Sequence, residues 1–210
     1  MALAFARPGK VVCVGRNYAA HAQELGHDVP SEPILFIKPA SSVIGPGDAI
    51  VRPVHMSELV HHEGELAAVV DRTMHRVPER DALSYVRGYT CANDVTARDL
   101  QRRDVQFTRG KSFDTFCPLG PAVVALADPQ SLAVELAVNG VVKQRASTRS
   151  MIFSVARLLS FISSVMTLDA GDVVLTGTPA GVGPLVAGDV VTVTIEGVGS
   201  LSNPVVDSAP

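Results

Sequence analysis

Two glutamates one residue apart, Glu63 and Glu65, stand before the apolar run Leu66–Val70. Such a run predicts a buried β-strand, in which side chains two residues apart point to the same face, about 6 to 7 Å from each other. Two carboxylates placed this way repel each other and lose hydration. A divalent cation with oxygen ligands would offset both costs. Arg and Lys partners, or an exposed edge strand, would do so too, and the pair by itself leaves these alternatives open.

A second candidate pair is His21 and Glu24, in a segment that predicts a short helix over residues 18–25, capped by Asn17 and ended by Gly26. Residues three apart on a helix share a face. A carboxylate beside an imidazole orients the ring and stabilises its protonated form, which suits a general base at neutral pH. A solvated surface pair is the commoner outcome for this spacing.

A third group surrounds Asp94, which stands where the predicted strand Gly88–Ala92 gives way to the predicted helix Thr96–Arg103. Such junctions collect open backbone amides and functional side chains. Arg98 and Gln101 are three apart on that helix, so a guanidinium and an amide on one face could hold a carboxylate. A solvated polar helix explains the same residues equally well.

Two further segments could contact a ligand. Residues 110–121 form an apolar, non-periodic loop, in which Lys111 is either a paired core lysine or a substrate-binding cation. Thr176–Gly183 is rich in glycine and includes Thr178, so its backbone can come close to a ligand. Because no Gly-Lys-Ser/Thr and no helix pattern follows, it is not a phosphate-binding loop.

The elements that must position these residues are mostly short strands. Apart from those above, strands are predicted at Val11–Gly15, Ile34–Ile37, Ala49–Val51, Ala122–Leu126, Leu132–Val138, Val141–Gln144, Asp172–Leu175 and Asp189–Ile195, with an Asn139–Gly140 hairpin turn. Helices are predicted after Pro78 and over Ser150–Met166. Strands outnumber helices and rarely alternate with them, which favours a β-rich α+β fold over a doubly wound sheet.

Length and composition bound the class of protein. With 210 residues, 47% of them hydrophobic, the chain can bury one full core, and we expect a single domain over residues 1–210. A net charge of −3 without a basic stripe argues against nucleic acid and anionic lipid as partners. The longest apolar segment is interrupted by Arg157, so we expect no membrane span.

The cysteines and the N-terminus indicate the compartment. Cys13, Cys91 and Cys117 are far apart, without a disulfide or metal spacing, which is typical of buried thiols in a reducing cytosol. Residues 1–8 lack the long apolar region of a secretory signal. We therefore expect a cytoplasmic protein.

Six motifs in chain order resemble those of the fumarylacetoacetate hydrolase family. They are Gly15–Tyr18 with His21 and Glu24, Phe36–Pro39, Glu63–Leu66, Asn93–Gln101, Lys111–Asp114 and Thr176–Gly183. Any one of them is weak, but six in order make coincidence very improbable. The motif-bearing core covers about residues 11–204. Because Gly15–Tyr18 comes so early, the chain is similar to the short branch that contains acylpyruvate and fumarylpyruvate hydrolases, oxaloacetate decarboxylases and isomerases of aromatic-acid breakdown.

The resemblance implies a rolled, mixed β-structure, a homodimer, and one Mg²⁺ or Mn²⁺ held by Glu63, Glu65 and Asp94. It also implies that His21 and Glu24 form a dyad on an N-terminal lid. The neighbouring His61 has no ligand role on this basis.

The activity that the resemblance favours is hydrolysis of a carbon–carbon bond in a 2,4-diketo acid of the acylpyruvate type, with release of pyruvate. His21, held by Glu24, would take a proton from water, and Lys111 would join them as a catalytic residue. The substrate, a small 2-keto acid, would be bound by Arg16, Arg98, Gln101, Lys111 and Thr178. Oxaloacetate decarboxylation, isomerisation of 2-hydroxyhepta-2,4-diene-1,7-dioate at the same site, and an inactive homologue that binds metal and keto acid are the alternatives.

Overall fold

The structure, a computed structural model, describes residues 6–209. Residues 1–5 and 210 lie outside the described residues. They belong to the predicted domain, and residues 1–5 also belong to the N-terminal segment in which the sequence predicts no secretory signal. The strands are β1 (Val11–Gly15), β2 (Ile34–Lys38), β3 (Val43–Ile44), β4 (Ile50–Arg52), β5 (Val60–His62), β6 (Gly64–Val70), β7 (Val86–Asn93), β8 (Thr96–Ala97), β9 (Cys117–Val124), β10 (Ala133–Val138), β11 (Val141–Ser147), β12 (Val173–Leu175), β13 (Gly183–Pro184), β14 (Val190–Ile195) and β15 (Gly199–Asp207). The α-helices are α1 (Ala19–Glu24), α2 (Glu79–Ala82), α3 (Arg98–Arg103), α4 (Thr108–Lys111) and α5 (Val155–Val165), with 3₁₀ turns at Ala40–Ser42, Leu83–Tyr85 and Thr148–Ser150.

The central sheet has seven strands in the order β2-β1-β12-β6-β7-β9-β3. It is mixed, since β1 pairs with β12 and β3 with β9 in parallel, whereas the other neighbours are antiparallel. Every residue of β6 is buried. Leu66 and Ala68 join the larger apolar cluster and Ala67 and Val69 a smaller one, because successive side chains of a strand point to opposite faces. Strand β6 is therefore covered on both faces, as its apolar sequence predicts.

A second sheet, in the order β11-β10-β14-β15-β4, covers one face of the first. Its inward side chains, such as Leu136 and Val193, belong to the same cluster as Leu66. Leu158 of α5 packs into that cluster as well. A third, small sheet has the order β13-β5-β8. Mixed sheets with a few short helices confirm the predicted β-rich α+β class.

Several predicted elements have different bounds. Asn17 does not cap α1, because its amide Nδ2 donates instead to the main-chain oxygens of Thr176 at 2.8 Å and Phe153 at 3.0 Å. The helix expected over Ser150–Met166 begins only after Ser154, whose hydroxyl caps it. The helix expected from Thr96 begins at Arg98.

Other elements in the second half of the chain also depart from expectation. The segment 110–121 is not one loop, since Lys111 ends α4 and β9 begins at Cys117. The sequence also missed β15, which pairs with both β14 and β4. Its serine, asparagine and proline residues hide the strand pattern.

The cysteines and the turn between β10 and β11 have the features that the sequence predicts. The three cysteines are free and buried, as predicted. The hairpin turn at Asn139 and Gly140 is present, with φ angles of 52° and 77°. Within residues 6–209, no helix is long and apolar enough to cross a membrane.

Candidate active site

Three buried carboxylates meet at adjacent ends of β6 and β7. Glu63 directly precedes β6, Glu65 is its second residue, and Asp94 directly follows β7. Because these strands pair antiparallel with Gly64 opposite Asn93, the start of one lies beside the end of the other. One oxygen from each carboxylate lies within 4.8 Å of the other two. The arrangement joins residues that the sequence predicted as a metal-ligating set.

Three buried cations surround these carboxylates. The ammonium of Lys111 contacts Oε2 of Glu63 and Oδ2 of Asp94, both at 2.7 Å, and that of Lys38 contacts Oδ1 of Asp94 at 2.6 Å. The guanidinium of Arg98 forms an ion pair with Glu63. Lys38, Lys111 and Arg98 are almost fully buried. Buried charges of this kind are tolerated only when they are paired and hydrogen-bonded, as they are here.

Glu63 and Glu65 have pKa values that are shifted in opposite directions. Burial works against ionisation of Glu63, but the charges of Lys111 and Arg98 together outweigh it and hold the pKa of that carboxyl below its usual range. Burial and the neighbouring charge of Asp94 instead raise the pKa of Glu65 well above its usual value. Glu65 accepts a hydrogen bond from the amide of Gly177 at 2.6 Å. Like-charged oxygens converging in this way fit a hard divalent cation such as Mg²⁺ or Mn²⁺.

The pair His21 and Glu24 lies beside the cluster of carboxylates and cations. His21 is only 4% exposed, and its Nδ1 lies 3.3 Å from Oε2 of Glu24. The amide of Gly181 donates to both oxygens of Glu24, at 3.0 and 3.2 Å. Burial lowers the pKa of His21, although the charges of Glu63 and Glu24 partly oppose the shift. The lowered pKa favours the neutral imidazole near pH 7, and His21 is buried although its partner Glu24 is exposed.

These groups share one cavity of about 300 Å³, a volume at the lower end of the range for small-molecule pockets. Of the residues predicted from sequence, all except Glu24 line it: Arg16, His21, Glu63, Glu65, Asp94, Arg98, Gln101, Lys111 and Thr178. Phe36 and Phe107 form an apolar wall, with ring centroids 5.7 Å apart in an edge-to-face arrangement. Glu24 contacts the ring of His21 without lining the cavity itself.

Sequence reasoning missed Lys38 as a member of the charge cluster. It ends β2, is fully buried, and donates to the main-chain oxygen of Val95 at 3.0 Å besides pairing with Asp94. A lysine at the end of an apolar strand, directly before Pro39, is a sequence signal that could have suggested a buried, paired charge. The sequence could not predict its partner, since Asp94 is 56 residues away in the chain.

A second missed residue is Gln144 of β11, whose buried amide joins the second sheet to the site. Its Oε1 accepts from the amide of Gly64 at 2.9 Å and lies 3.2 Å from Nδ1 of His62. Its Nε2 donates to Oγ1 of Thr178 at 2.8 Å and to the main-chain oxygen of Pro179 at 2.7 Å. Gln144 thus holds both the start of β6 and the glycine-rich loop. Nothing in the sequence around it distinguishes it from surface strand residues.

The glycine-rich loop packs against protein where the sequence suggested a ligand. At Gly177 a Cβ atom would lie 2.6 Å from Cβ of Asn17, and at Gly181 it would lie 2.2 Å from the main-chain oxygen of Lys143. Both glycines have positive φ angles, of 98° and 100°. The hydroxyl of Thr178 lines the cavity but donates to the main-chain oxygen of Gly64, so its one proton is already used.

Comparison with known proteins identifies the family. A family model described as fumarylacetoacetate (FAA) hydrolase C-terminal matches residues 10–206. The chain belongs to this family. The resemblance seen in the sequence motifs is confirmed, and so is the rolled, mixed β-structure that it implied.

This fumarylacetoacetate hydrolase family member is similar to proteins with different named reactions. It is 43% identical to oxaloacetate tautomerase YisK of Bacillus subtilis, over 94% of this chain and 70% of the relative. The structure of 5-carboxymethyl-2-hydroxymuconate delta-isomerase from Mycobacterium smegmatis is 48% identical, with a TM-score of 0.93, over 100% of this chain and 83% of that one. Fumarylpyruvate hydrolase from Pseudomonas aeruginosa, solved with Mn²⁺ and pyruvate, is 37% identical with a TM-score of 0.91, over 96% of this chain and 91% of that one.

Proposed function

We propose that this protein is a divalent-metal-dependent enzyme that hydrolyses a carbon–carbon bond of an acylpyruvate-type 2,4-diketo acid and releases pyruvate. The observation that carries the proposal is the buried His21, which lines the same small cavity as Glu63, Glu65 and Asp94. The related hydrolase solved with Mn²⁺ and pyruvate supports it.

Glu63, Glu65 and Asp94 would hold Mg²⁺ or Mn²⁺ through carboxylate oxygens. Bound there, the ion supplies a Lewis acid for the carboxylate and 2-keto oxygens of the substrate.

The proton chemistry belongs to His21. Its neutral imidazole takes a proton from water, and Glu24 stabilises the positive charge that forms on the ring. The water oxygen then bonds to the distal carbonyl carbon of the substrate. When the adjacent carbon–carbon bond breaks, its electron pair stays on the pyruvate half, which accepts a proton to give pyruvate. Gly181 keeps Glu24 in place throughout.

Lys111 and Gln101 are suited to orient the substrate. Two of the three ammonium protons of Lys111 are directed at Glu63 and Asp94, which leaves one donor beside the cavity. The Oε1 atom of Gln101 accepts from Arg98, so its amide NH₂ remains available to a substrate carboxylate. The role of Thr178 stays a prediction, as acceptor or through its main chain.

A second candidate reaction is a proton shift in a keto acid, such as keto–enol tautomerisation of oxaloacetate or isomerisation of a dienedioate. It is favoured by the names of relatives more similar than the hydrolase: a tautomerase at 43% identity and an isomerase at 48%. His21 would then take its proton from substrate carbon, and no water would attack.

One experiment separates these reactions. Pyruvate release from acetylpyruvate is followed beside loss of the enol absorption of oxaloacetate, each corrected for the rate with Mn²⁺ alone. Hydrolysis that disappears in His21→Asn and persists in His75→Asn would support the proposal; His75 is exposed and contacts Thr167. Undiminished hydrolysis by His21→Asn would overturn the role of His21. Loss of the oxaloacetate enol without hydrolysis of acetylpyruvate would select the proton shift. No activity in either assay would favour a binding protein.

A further inference from the structure

The aromatic ring of Phe36 lies against the ammonium group of Lys111. The ammonium nitrogen is 4.9 Å from the ring centroid. Within about 6 Å, a cation is attracted by the negative face of an aromatic ring, and more strongly where water is excluded. Lys111 is buried and Phe36 is half-buried, so little water competes for this contact. The ring therefore attracts an ammonium group that lines the cavity.

Strand β2 presents this ring on the same face as Lys38. Phe36 and Lys38 are two residues apart on the strand, so both side chains point toward the site. The ammonium of Lys38 contacts Oδ1 of Asp94 at 2.6 Å, and that of Lys111 contacts Oδ2 of the same carboxylate at 2.7 Å. One strand face thus contacts both members of the Asp94–Lys111 pair, the carboxylate through Lys38 and the ammonium through Phe36.

The ring of Phe36 also contacts the start of the helix that ends at Lys111. Its centroid lies 5.7 Å from that of Phe107, in an edge-to-face arrangement. Phe107 directly precedes α4, and its main-chain oxygen accepts from the amide of Lys111 at 3.0 Å. Phe36 therefore contacts both ends of one helical turn, the aromatic ring at its start and the ammonium at its end.

The ring differs from the other partners of Lys111 in one respect. Glu63 and Asp94, which pair with the ammonium, are also candidate metal ligands. In the metal-loaded protein their negative charge would be shared between the ion and Lys111. The face of Phe36 has no such competitor, so its attraction for the ammonium is the same with and without the metal.

We propose that Phe36 is a positioning residue, whose ring holds the ammonium of Lys111 so that its remaining proton is directed at the substrate. The inference rests on the proposed function, in which Lys111 orients the substrate. Phe36 would then act on the substrate through Lys111 and not by contact of its own.

The test replaces Phe36 with 4-fluorophenylalanine, 3,5-difluorophenylalanine and 3,4,5-trifluorophenylalanine. Fluorine draws electron density from the ring face and weakens its attraction for a cation, whereas the size of the ring changes little. Oxalate affinity is measured by calorimetry at saturating Mn²⁺, because oxalate offers a carboxylate oxygen to Lys111 without being turned over. We expect the affinity to fall stepwise along the series, by about threefold to tenfold for Phe36→3,4,5-trifluorophenylalanine.

Phe161 provides a matched control. Its ring centroid lies 5.9 Å from Cζ of Arg157, so it also faces a cation, but it belongs to α5 and does not line the cavity. Phe161→3,4,5-trifluorophenylalanine therefore weakens a contact of the same kind outside the site. We expect its oxalate affinity to equal that of the unsubstituted protein.

A second comparison repeats the fluorination of Phe36 in Lys111→Met, which keeps a long side chain without the charge. If the ring acts through the ammonium, fluorination has no further effect on oxalate affinity in this background. Should Lys111→Met fail to fold, the fluorination series and the Phe161 control decide without it.

Three results would overturn the role of Phe36. They are unchanged or stronger oxalate binding along the series, an equal fall in the Phe161 variant, and the same fall in Lys111→Met as in its absence. Direct contact between anionic oxalate and the ring face would give stronger binding, because fluorination makes that face less negative.

The outcomes also separate this inference from the function on which it rests. Failure of the unsubstituted protein to hydrolyse acetylpyruvate would overturn the proposed function but not the positioning of Lys111, since oxalate binding needs no turnover. Failure of the unsubstituted protein to bind oxalate would overturn both.

Discussion

The main-chain amide of Gly181 donates hydrogen bonds to both carboxylate oxygens of Glu24, which lies 157 residues earlier in the chain. Glu24 in turn contacts His21. The same loop donates the amide of Gly177 to Glu65. One glycine-rich segment therefore positions both the imidazole and a candidate metal ligand, which couples the N-terminal helix to the carboxylates.

We expect Gly181→Ala to lower turnover at least tenfold and to destabilise the fold by about 1 to 3 kcal/mol. The added Cβ would lie 2.2 Å from the main-chain oxygen of Lys143, so the loop must shift, and with it the amide that donates to Glu24. Gly188→Ala is the control, because Gly188 has a similar φ of 94° with nothing within 4 Å. The positive φ strains the alanine in both variants. Turnover, and the free energy of unfolding measured in urea, should therefore fall further in Gly181→Ala, where the added Cβ also overlaps the main chain. Equal effects would mean that the loop does not position Glu24.

Glu65→Gln should separate metal binding from stability. Because burial and Asp94 raise the pKa of Glu65, its negative charge is unfavourable without a cation, and the amide keeps the acceptor for Gly177. We expect the metal-free variant to be at least as stable as the unsubstituted protein, and its Mn²⁺ affinity to fall at least tenfold. Thermal unfolding with and without Mn²⁺ measures both. Glu58→Gln, at an exposed position, should change neither; unaltered Mn²⁺ stabilisation in Glu65→Gln would remove Glu65 from the ligand set.

The acidic limb of the pH profile should reflect His21. A general base acts when unprotonated, so activity falls as pH drops through its pKa. Burial lowers the pKa of His21 from 6.5, despite the opposing charges of Glu63 and Glu24, with Arg98 adding to the shift. We therefore expect half-maximal kcat below pH 6.5. Mn²⁺ affinity measured at each pH separates this limb from protonation of the carboxylates; a midpoint above 6.5 at constant Mn²⁺ occupancy would contradict the assignment.

Gln144→Leu should weaken the site without touching the cavity. The change keeps the size of the side chain but replaces its amide with an apolar group, which leaves the amide of Gly64 and the main-chain oxygen of Pro179 unpaired in the interior. Each buried unpaired group costs about 1 to 3 kcal/mol. We expect a loss of about 2 to 5 kcal/mol in the free energy of unfolding, together with weaker Mn²⁺ binding. Lys143→Met, at the exposed neighbour, is the control. If stability falls and Mn²⁺ affinity does not, Gln144 supports the fold alone.

Prediction from sequence succeeded where partners lie within one element. Residues three apart on a helix meet whatever surrounds them, and the contacts of His21 with Glu24 and of Arg98 with Gln101 are both present. Strand β1 was predicted with its observed bounds because its apolar run is uninterrupted. By the same reasoning β15 was missed, since its sequence alternates without a clear apolar face.

The sequence could not distinguish roles that depend on distant partners. Asn17 has the residue type of a helix cap, but its side-chain amide donates instead to the main-chain oxygens of Thr176 and Phe153. The solvated and functional interpretations of His21 differed only in burial, which the sheets and the loop around it decide. Lys111 was open between core and substrate roles, and the structure places it against Glu63 and Asp94 while it also lines the cavity.

By itself the sequence determined the class of fold, the family, and a set of acidic, basic and imidazole groups suited to one kind of chemistry, because residue type and local periodicity are properties of the chain. Tertiary structure decided which of these groups meet. The pairing of Lys38 with Asp94 joins residues 56 apart, and that of Gln144 with Gly64 joins residues 80 apart. Contacts at such separations form only when whole sheets pack, since burial of their apolar faces is what offsets the entropy of closing the chain between them.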